Sequence, residues 1–135
     1  MNRIFLDSNI CIYAFAGVTD YKFHVAFQLL SSNPKPFISS QVLIETYNAN
    51  FRKLKLSSGI CEENTLILCD IAEIVSLNDI VFRIAISFIK KYHFSFLDSC
   101  IIATAFYNKC AVLYSEDMQH GQKIEDTLTI VNPFI

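Results

Sequence analysis

The sequence predicts an α/β protein in which a short, mostly parallel sheet is covered by helices on both faces. Short apolar runs alternate with longer segments of helical periodicity, which is typical of a parallel sheet whose strands are buried. Hydrophobic residues make up 53% of the 135 residues and charged residues 18%, so a substantial core is expected. Only three Gly and three Pro are present, which favours short connections. We expect a single domain over residues 1–135, because a domain commonly holds about 100–200 residues.

Hydrophobic periodicity locates the elements in chain order. Apolar runs of strand length predict strands, at residues 3–6, 37–38, 74–75, 111–114 and 128–131. The second helical segment carries Phe23, Phe27 and Leu30 on one face, and two prolines separate it from the second strand. Helices are predicted between the strands, at residues 9–15, 21–31, 40–56, 61–72, 79–92 and 95–108.

Polar residues that can cap a helix support three of these helix starts. The capping candidates are Ser39 or Ser40, Asn78 or Asp79, and Ser95. A side-chain oxygen at such a position accepts a hydrogen bond from a free backbone N–H group of the first turn. We therefore place the third, fifth and sixth helix starts at these residues.

Composition excludes several classes of protein. The mean hydropathy of +0.36 is too high for a disordered chain, and the net charge of -2 is not that of a strongly basic nucleic-acid-binding protein. No apolar run reaches the roughly 18 residues of a membrane span, and Asp7 interrupts the first run too early for an export signal. We therefore expect no membrane contact. The five cysteines form no C-x-x-C pair, so we expect a reducing, cytoplasmic location.

Four acidic residues lie where the chain leaves the carboxyl ends of predicted strands. Asp7 directly follows the first strand, and Glu45 lies in the first two turns of the helix after the second strand. Asp117 closely follows the fourth strand, and Asp98 lies in the first turn of the helix that leads down into that strand. Because ligands of parallel α/β sheets bind at the carboxyl edge, we expect these four carboxylates to converge there.

Each acid also has a purely structural interpretation. Asp7 could cap the following helix, Asp98 has the S-x-x-[DE] spacing of a capping box, and Asp117 could be a turn residue. Glu45 could belong to a solvated helical stripe. That stripe is Gln41, Glu45, Asn48 and Arg52, opposite Leu43, Tyr47, Phe51 and Leu54. Convergence favours a site, because neighbouring carboxylates repel one another unless a cation lies between them.

Oxygen ligands without His or Cys suit Mg²⁺ or Mn²⁺. Such metals bind carboxylates together with substrate phosphates, and the chain has no glycine-rich phosphate loop, so the acids indicate metal-dependent phosphodiester chemistry. Arg52 lies two helical turns from Glu45, or about 10 Å along the helix axis, where it could contact a neighbouring phosphate. Equally, Arg52 and Lys53 could be a solvated helix end that the helix dipole favours.

Four segments of the chain resemble PIN-domain ribonucleases, and specifically the VapC-type toxins of bacterial toxin–antitoxin pairs. They are residues 5–10 with the D-[ST]-N pattern, residues 39–53 with the acidic helix, residues 97–105 and residues 113–134. The four acids occur in the family's order, with steps of 38, 53 and 19 residues between positions 7, 45, 98 and 117. The four segments together span nearly the whole chain.

The resemblance implies a three-layer αβα sandwich whose acidic site hydrolyses RNA. Asp7, Glu45, Asp98 and Asp117 would be the catalytic residues and the ligands of Mg²⁺ or Mn²⁺. A metal-bound water would attack the phosphodiester, and the metal would stabilise the developing negative charge.

Further roles follow from the same resemblance. Asn9 and Ser115 would support the site by hydrogen bonding, and Glu116 could replace Asp117 as the fourth acid, because spacing does not separate adjacent residues. Arg52 and Lys53 would contact RNA. Setting the four ligand acids aside leaves nine acids against 11 basic residues, a balance of +2 that suits an RNA substrate.

Partners and rival functions complete the expectations. The family implies a cognate antitoxin and a homodimer, and the 12 Phe and 6 Tyr exceed what one small core can enclose, which favours an interface.

The main alternative is a PIN-fold protein-binding module with a vestigial acidic site. A receiver-type signalling domain is weaker, because Asp7 is followed by Ser8 rather than by a second acid. A haloacid-dehalogenase-type phosphatase is also weaker, because Asn9 stands where that family has its second Asp.

Overall fold

The computed structural model describes residues 2–135 and confirms the α/β class. The strands are β1 (Arg3–Leu6), β2 (Phe37–Ser39), β3 (Glu73–Val75), β4 (Cys110–Tyr114), β5 (Lys123–Ile124) and β6 (Leu128–Val131). The helices are α1 (Ser8–Phe15), α2 (Tyr21–Leu30), α3 (Ser40–Arg52), α4 (Ser58–Ile71), α5 (Asp79–Tyr92) and α6 (Phe96–Tyr107). The sheet order is β3-β2-β1-β4-β6-β5, and only β5 runs antiparallel to its neighbour.

The core lies between the sheet and the helices packed on it. Phe5 of β1 and Leu113 of β4 are paired in register and fully buried. Helix α6 is buried continuously over residues 99–105, as expected for a helix that is apolar on all sides. Among residues 2–135 no helix is long and apolar enough to cross a membrane.

The predicted caps are present where helices begin. Ser39 Oγ accepts from Val42 N–H at 3.2 Å, and Asn78 Oδ1 accepts from Val81 N–H at 2.9 Å. Ser95 Oγ accepts from the N–H of Asp98 at 3.2 Å. Of the paired candidates, Ser39 and Asn78 are therefore the capping residues.

Two helix boundaries differ from the prediction by more than one residue, and one strand was not predicted. Helix α3 ends at Arg52 rather than near residue 56, because Lys55 adopts a left-handed conformation with φ of 57° that cannot continue a helix. Helix α4 begins at Ser58 rather than residue 61, since Ser57 caps it. Strand β5 was not predicted, because two residues carry no periodic signal.

The apolar stripe of α3 is covered only in part, since Leu43 packs against the core whereas Phe51 does not. The helix buries Val42, Thr46, Ala49 and Asn50, while Phe51 is 52% exposed and Ile44 is 63% exposed. Small and polar residues occupy the buried face because α3 packs between α1 and α4, where Asn50 accepts a hydrogen bond from Asn64. Ile44 and Phe51 therefore remain on the surface.

Candidate active site

Adjacent parallel strands bring the first and last of the predicted site segments together. The N–H of Asp7, just after β1, donates to the carbonyl of Tyr114 at 3.0 Å. The N–H of Ser115, just after β4, donates to the carbonyl of Val131 at 3.0 Å. The sheet ladder thus continues past the strand ends and places residues 7 and 115 side by side at the carboxyl edge.

Asp7 is a buried carboxylate held by three donors. Its side chain is 6% exposed, and Oδ1 accepts from the N–H of Ser8 at 2.7 Å. Oδ2 accepts from Ser115 Oγ at 2.8 Å and from Asn9 Nδ2 at 3.4 Å. Asp7 occupies the N-cap position of α1, where its Oδ1 atom accepts from the first N–H group of the helix. Its other oxygen, Oδ2, takes no part in capping and accepts hydrogen bonds from Ser115 and Asn9.

Asn9 and Ser115 connect Asp7 to Asp117. Asn9 Nδ2 donates to Asp117 Oδ2 at 3.1 Å, and Asn9 Oδ1 accepts from the N–H of Glu116 at 3.2 Å. Ser115 Oγ accepts from the N–H of Asp117 at 3.3 Å. These bonds fix both the direction of the loop after β4 and the carboxylate of Asp117.

We call the four acids at the carboxyl edge of the sheet the acidic rim, namely Asp7, Glu45, Asp98 and Asp117. Glu45 and Asp98 form its second part, and few hydrogen bonds hold them. Gln41 Nε2 donates to Glu45 Oε2 at 3.2 Å and to the carbonyl of Leu97 at 3.1 Å, so it ties α3 to the start of α6. Within residues 2–135 the carboxylate of Asp98 accepts no hydrogen bond, and the capping-box bond back to Ser95 is not formed. The Asp98 carboxylate is therefore free to bind a ligand.

Two of the other acids act on the charge of Asp7. Burial raises the pKa of Asp7 to about 6, against the opposing effect of the hydrogen bonds from Ser115 and Ser8. The negative charges of Glu45 and Asp98 raise that pKa further. Charges act on a pKa in this way only within a limited range, which supports the placement of Glu45 and Asp98 at the same edge of the sheet as Asp7.

The adjacent acids Glu116 and Asp117 have different surroundings. Glu116 Oε1 accepts from the hydroxyl of Tyr13 at 2.5 Å, and Oε2 accepts from Lys22 Nζ at 2.5 Å. Burial acts to raise the pKa of Glu116, but the bonds from Lys22 and Tyr13 outweigh it and hold that pKa below its usual range. Glu116 is thus engaged by Lys22 and Tyr13, whereas Asp117 is exposed and bonded to Asn9.

The donor chemistry of the rim fits a hard cation, although the acids are not yet gathered around one point. Among residues 2–135 no group of three or more Asp, Glu, His or Cys side chains is spaced to hold a metal ion. Within the described residues, the buried Oε1 atom of Gln41 also lacks a hydrogen-bond partner, and the amide of Gln41 bonds Glu45. Carboxylates beside a polar atom with free hydrogen-bonding capacity suit a hydrated Mg²⁺ or Mn²⁺.

Arg52 and Lys53 lie at the far end of α3 from Glu45. Both are exposed, and neither forms an ion pair with any residue of the described range 2–135. A surface groove of about 590 Å³ lies beside them, lined by Phe51, Arg52, Lys55 and Leu56. An exposed aromatic ring beside free cations is the usual composition of a surface that binds single-stranded nucleic acid.

Sequence reasoning missed Tyr13, Lys22 and Gln41. Tyr13 follows Asn9 by four residues on α1, so both side chains lie on one helical face. That spacing could have indicated from the sequence that Tyr13 lies near the site. Lys22 carries no local signal, because it reaches Glu116 only through the packing of α2 on α1.

Comparison with known proteins adds independent findings. The model of the PIN-domain family matches residues 4–123. No curated protein sequence was found to match the chain. A toxin–antitoxin complex from Klebsiella pneumoniae contains a chain of similar structure, with a TM-score of 0.73 and 20% identity over 98% of both chains. The crystal structure of VapC20 from Mycobacterium tuberculosis, a toxin that cleaves the sarcin-ricin loop, has a TM-score of 0.66 and 17% identity, covering 82% of this chain and 86% of that one.

Proposed function

The chain belongs to the PIN-domain family, and from that membership and its acidic rim we propose that it is a metal-dependent endoribonuclease, the toxin of a toxin–antitoxin pair. The family expected from the sequence is thereby confirmed. One observation carries the proposal: a carboxylate only 6% exposed has two further acids close enough to raise its pKa. Such repulsion costs folding stability, which a site that binds a divalent cation would recover.

We assign Asp7, Glu45, Asp98 and Asp117 as the residues that would hold Mg²⁺ or Mn²⁺. Their all-oxygen chemistry supports these metals over zinc. When bound, the metal would supply Lewis acidity toward the phosphodiester and lower the pKa of a water molecule. Asn9 and Ser115 would act by hydrogen bonding, since they hold the carboxylates of Asp7 and Asp117 in place before any ligand arrives.

The RNA strand would pass from the acidic rim along α3. Glu45 and Arg52 belong to one polar stripe of this helix, which leads away from the acids toward the groove with Phe51. Arg52 and Lys53 would contact phosphates, and Phe51 offers a ring on which a base can stack. The cations are needed there because the acidic rim itself repels a polyanion.

An antitoxin would bind beside the acids. A groove of about 390 Å³ adjoins Glu45 and is lined by Ser40, Gln41, Ile44, Glu45, Leu77, Phe82 and Leu97. Ile44, Phe82 and Leu97 expose 63%, 39% and 57% of their surface, which suits an apolar segment of a partner protein. The solved Klebsiella pneumoniae structure, a toxin–antitoxin complex, supports a partner of this kind. The homodimer expected from the sequence remains part of the proposal.

The decisive experiment combines Mn²⁺ titration with cleavage of a mixed RNA pool. The purified protein is expected to bind Mn²⁺ and to cleave RNA only when the metal is present, and Asp98→Asn is expected to lose both properties. Asp70→Asn is the matched control, because Asp70 is an exposed acid on α4. A wild-type protein that neither binds Mn²⁺ nor cleaves RNA would contradict the proposal and favour the PIN-fold binding module with vestigial acids.

A further inference from the structure

Lys22 is a partly buried cation next to the acidic rim. The pair of Lys22 and Glu116 leaves 29% and 24% of the two side chains exposed. Lys22 Nζ also donates to the hydroxyl of Tyr13 at 3.2 Å. It lies 5.0 Å from the ring centroid of Tyr13 and 5.5 Å from that of Phe134, distances at which a cation is attracted to an aromatic face.

These contacts join four separate parts of the chain. Tyr13 belongs to α1, Lys22 to α2, Glu116 to the loop after β4, and Phe134 to the C-terminal segment. The rings of Tyr13 and Phe134 pack edge to face with centroids 5.2 Å apart. Tyr21, at the start of α2, packs edge to face on the same Phe134 ring at 6.4 Å. We call Tyr13, Lys22, Glu116 and Phe134 the lysine clasp.

The lysine clasp holds Glu116, which lies between the site residues Ser115 and Asp117 in the chain. The side chain of Glu116 is bonded by Lys22 and Tyr13, and its backbone N–H is bonded by Asn9 Oδ1. Hydrogen bonds therefore hold both the side chain and the backbone N–H of Glu116. Asp117 follows directly, so its backbone can move little while the clasp is closed.

We propose that Lys22 is a positioning residue, which holds Glu116 so that Asp117 stays beside Asn9 at the acidic rim. The inference rests on the proposed function, because it gives Asp117 the role of fourth acid. Lys22 itself contacts none of Asp7, Glu45, Asp98 or Asp117. We therefore expect its effect on metal binding to pass through Glu116, which is the residue of the loop after β4 that it bonds.

The chain contains a second cluster of the same composition away from the acids. Lys91 Nζ bonds Glu125 Oε2 at 2.5 Å, the hydroxyl of Tyr92 bonds the same oxygen at 2.9 Å, and Lys91 lies 5.4 Å from the ring of Tyr92. This cluster links α5 to the turn between β5 and β6. Lys91→Met is therefore a matched control for Lys22→Met, since both remove a lysine from a Lys–Tyr–Glu group.

The test compares Lys22→Met, Glu116→Leu and the double variant with Lys91→Met. Each clasp variant is expected to lower kcat and Mn²⁺ affinity about tenfold, near the lower end for residues that orient metal ligands. The double variant should be no worse than either single variant, because both remove the same contact. Lys91→Met should leave both quantities within about twofold, as expected of an exposed ion pair. Amide hydrogen exchange of Ser115 to Asp117 in the metal-free protein should become faster in Lys22→Met and remain unchanged in Lys91→Met.

Three results would overturn the inference. Lys22→Met could behave like Lys91→Met in kcat, Mn²⁺ affinity and exchange, which would make the clasp an ordinary surface contact. Glu116→Leu could lose Mn²⁺ while Lys22→Met retains it, which would make Glu116 itself the ligand. Additive losses in the double variant would mean that Lys22 acts independently of Glu116. If the wild-type protein neither binds Mn²⁺ nor cleaves RNA, the proposed function fails, and the exchange rates alone decide whether Lys22 positions the loop.

Discussion

The two sides of the acidic rim are built differently. On one side, Asp7 and Asp117 are bound through Asn9 and Ser115 in a continuous hydrogen-bond network. On the other side, Glu45 accepts one side-chain hydrogen bond, and within residues 2–135 the Asp98 carboxylate accepts none. The first pair is preorganised, and the second pair is held mainly by the positions of α3 and α6.

This difference indicates how the site would respond to a cation. The preorganised side presents its carboxylates in fixed orientations, at the expense of burying Asp7. The open side has carboxylates with free lone pairs, and the unpartnered Oε1 atom of Gln41 belongs to the amide that bonds Glu45. We therefore expect that Asp7 and Asp117 would hold a cation with little rearrangement and that Glu45 and Asp98 would move toward it, because no three acids are spaced for a metal within residues 2–135.

The largest expected effect comes from removing an acid on the open side. Asp98→Asn should lower kcat for RNA cleavage on the order of 10² to 10³-fold, because it removes a ligand of the metal that would stabilise the developing negative charge. Folding should be nearly unaffected, because the Asp98 carboxylate accepts no hydrogen bond from any of residues 2–135 that the amide would lose. Single-turnover cleavage and thermal unfolding measure the two quantities. A large loss of stability would show that Asp98 has a structural role instead.

On the preorganised side, Asp7→Asn should abolish cleavage and also stabilise the metal-free protein. The folded pKa is about 6 against an ordinary value of 3.8, so between these pH values the folded state keeps a proton that the unfolded chain has lost. Wild-type stability therefore falls as pH rises through this window. The advantage of the variant should grow from near zero at pH 4 toward about 3 kcal/mol at pH 7.

Urea unfolding of both proteins across that pH range, with a chelator present, measures this advantage. Asp70→Asn serves as the control, since Asp70 is exposed, and it should show no such pH-dependent gain. An Asp7→Asn curve parallel to the wild-type curve would contradict the assignment of burial as the cause of the raised pKa.

The hydrogen-bond donors of the two sides should also differ in importance. Asn9→Ala removes the amide that bonds Asp7, Asp117 and the Glu116 N–H, and it should weaken Mn²⁺ binding about tenfold or more. Gln41→Ala removes a donor to Glu45 and Leu97 only, and its effect should be within about threefold. Isothermal titration with Mn²⁺ compares the two variants. Equal losses would mean that the two sides are equally preorganised.

The parts of this site that could be predicted are those governed by strand ends. Asp7 and Asp117 follow from short apolar strands and the rule that parallel strands share a carboxyl edge, and the capping serines follow from local chemistry. The lysine clasp could not be predicted, because Lys22 meets Glu116 only after α1, α2 and the C-terminal segment pack together.

The surface of α3 shows the same limit of local patterns. Periodicity places Phe51 on the apolar stripe of α3, but packing between α1 and α4 leaves it 52% exposed. The tertiary contacts of α3 instead cover a face that includes the polar residues Thr46 and Asn50. The end of the helix was likewise set by the left-handed Lys55, for which no glycine marks the sequence.

The smallest expected effect lies outside both sides of the rim, at the far end of α3. Arg52→Met should raise KM for RNA a few-fold with little change in kcat, because the guanidinium would bind a phosphate equally in the ground state and the transition state. The slope of log KM against log salt concentration should fall by about one, the signature of a lost phosphate contact. Arg83→Met is the control, since Arg83 is 82% exposed and pairs with Asp79 on α5. A fall in kcat equal to the change in kcat/KM would instead place Arg52 within the chemistry of the acidic rim, and the division between binding along α3 and catalysis at the sheet edge would be wrong.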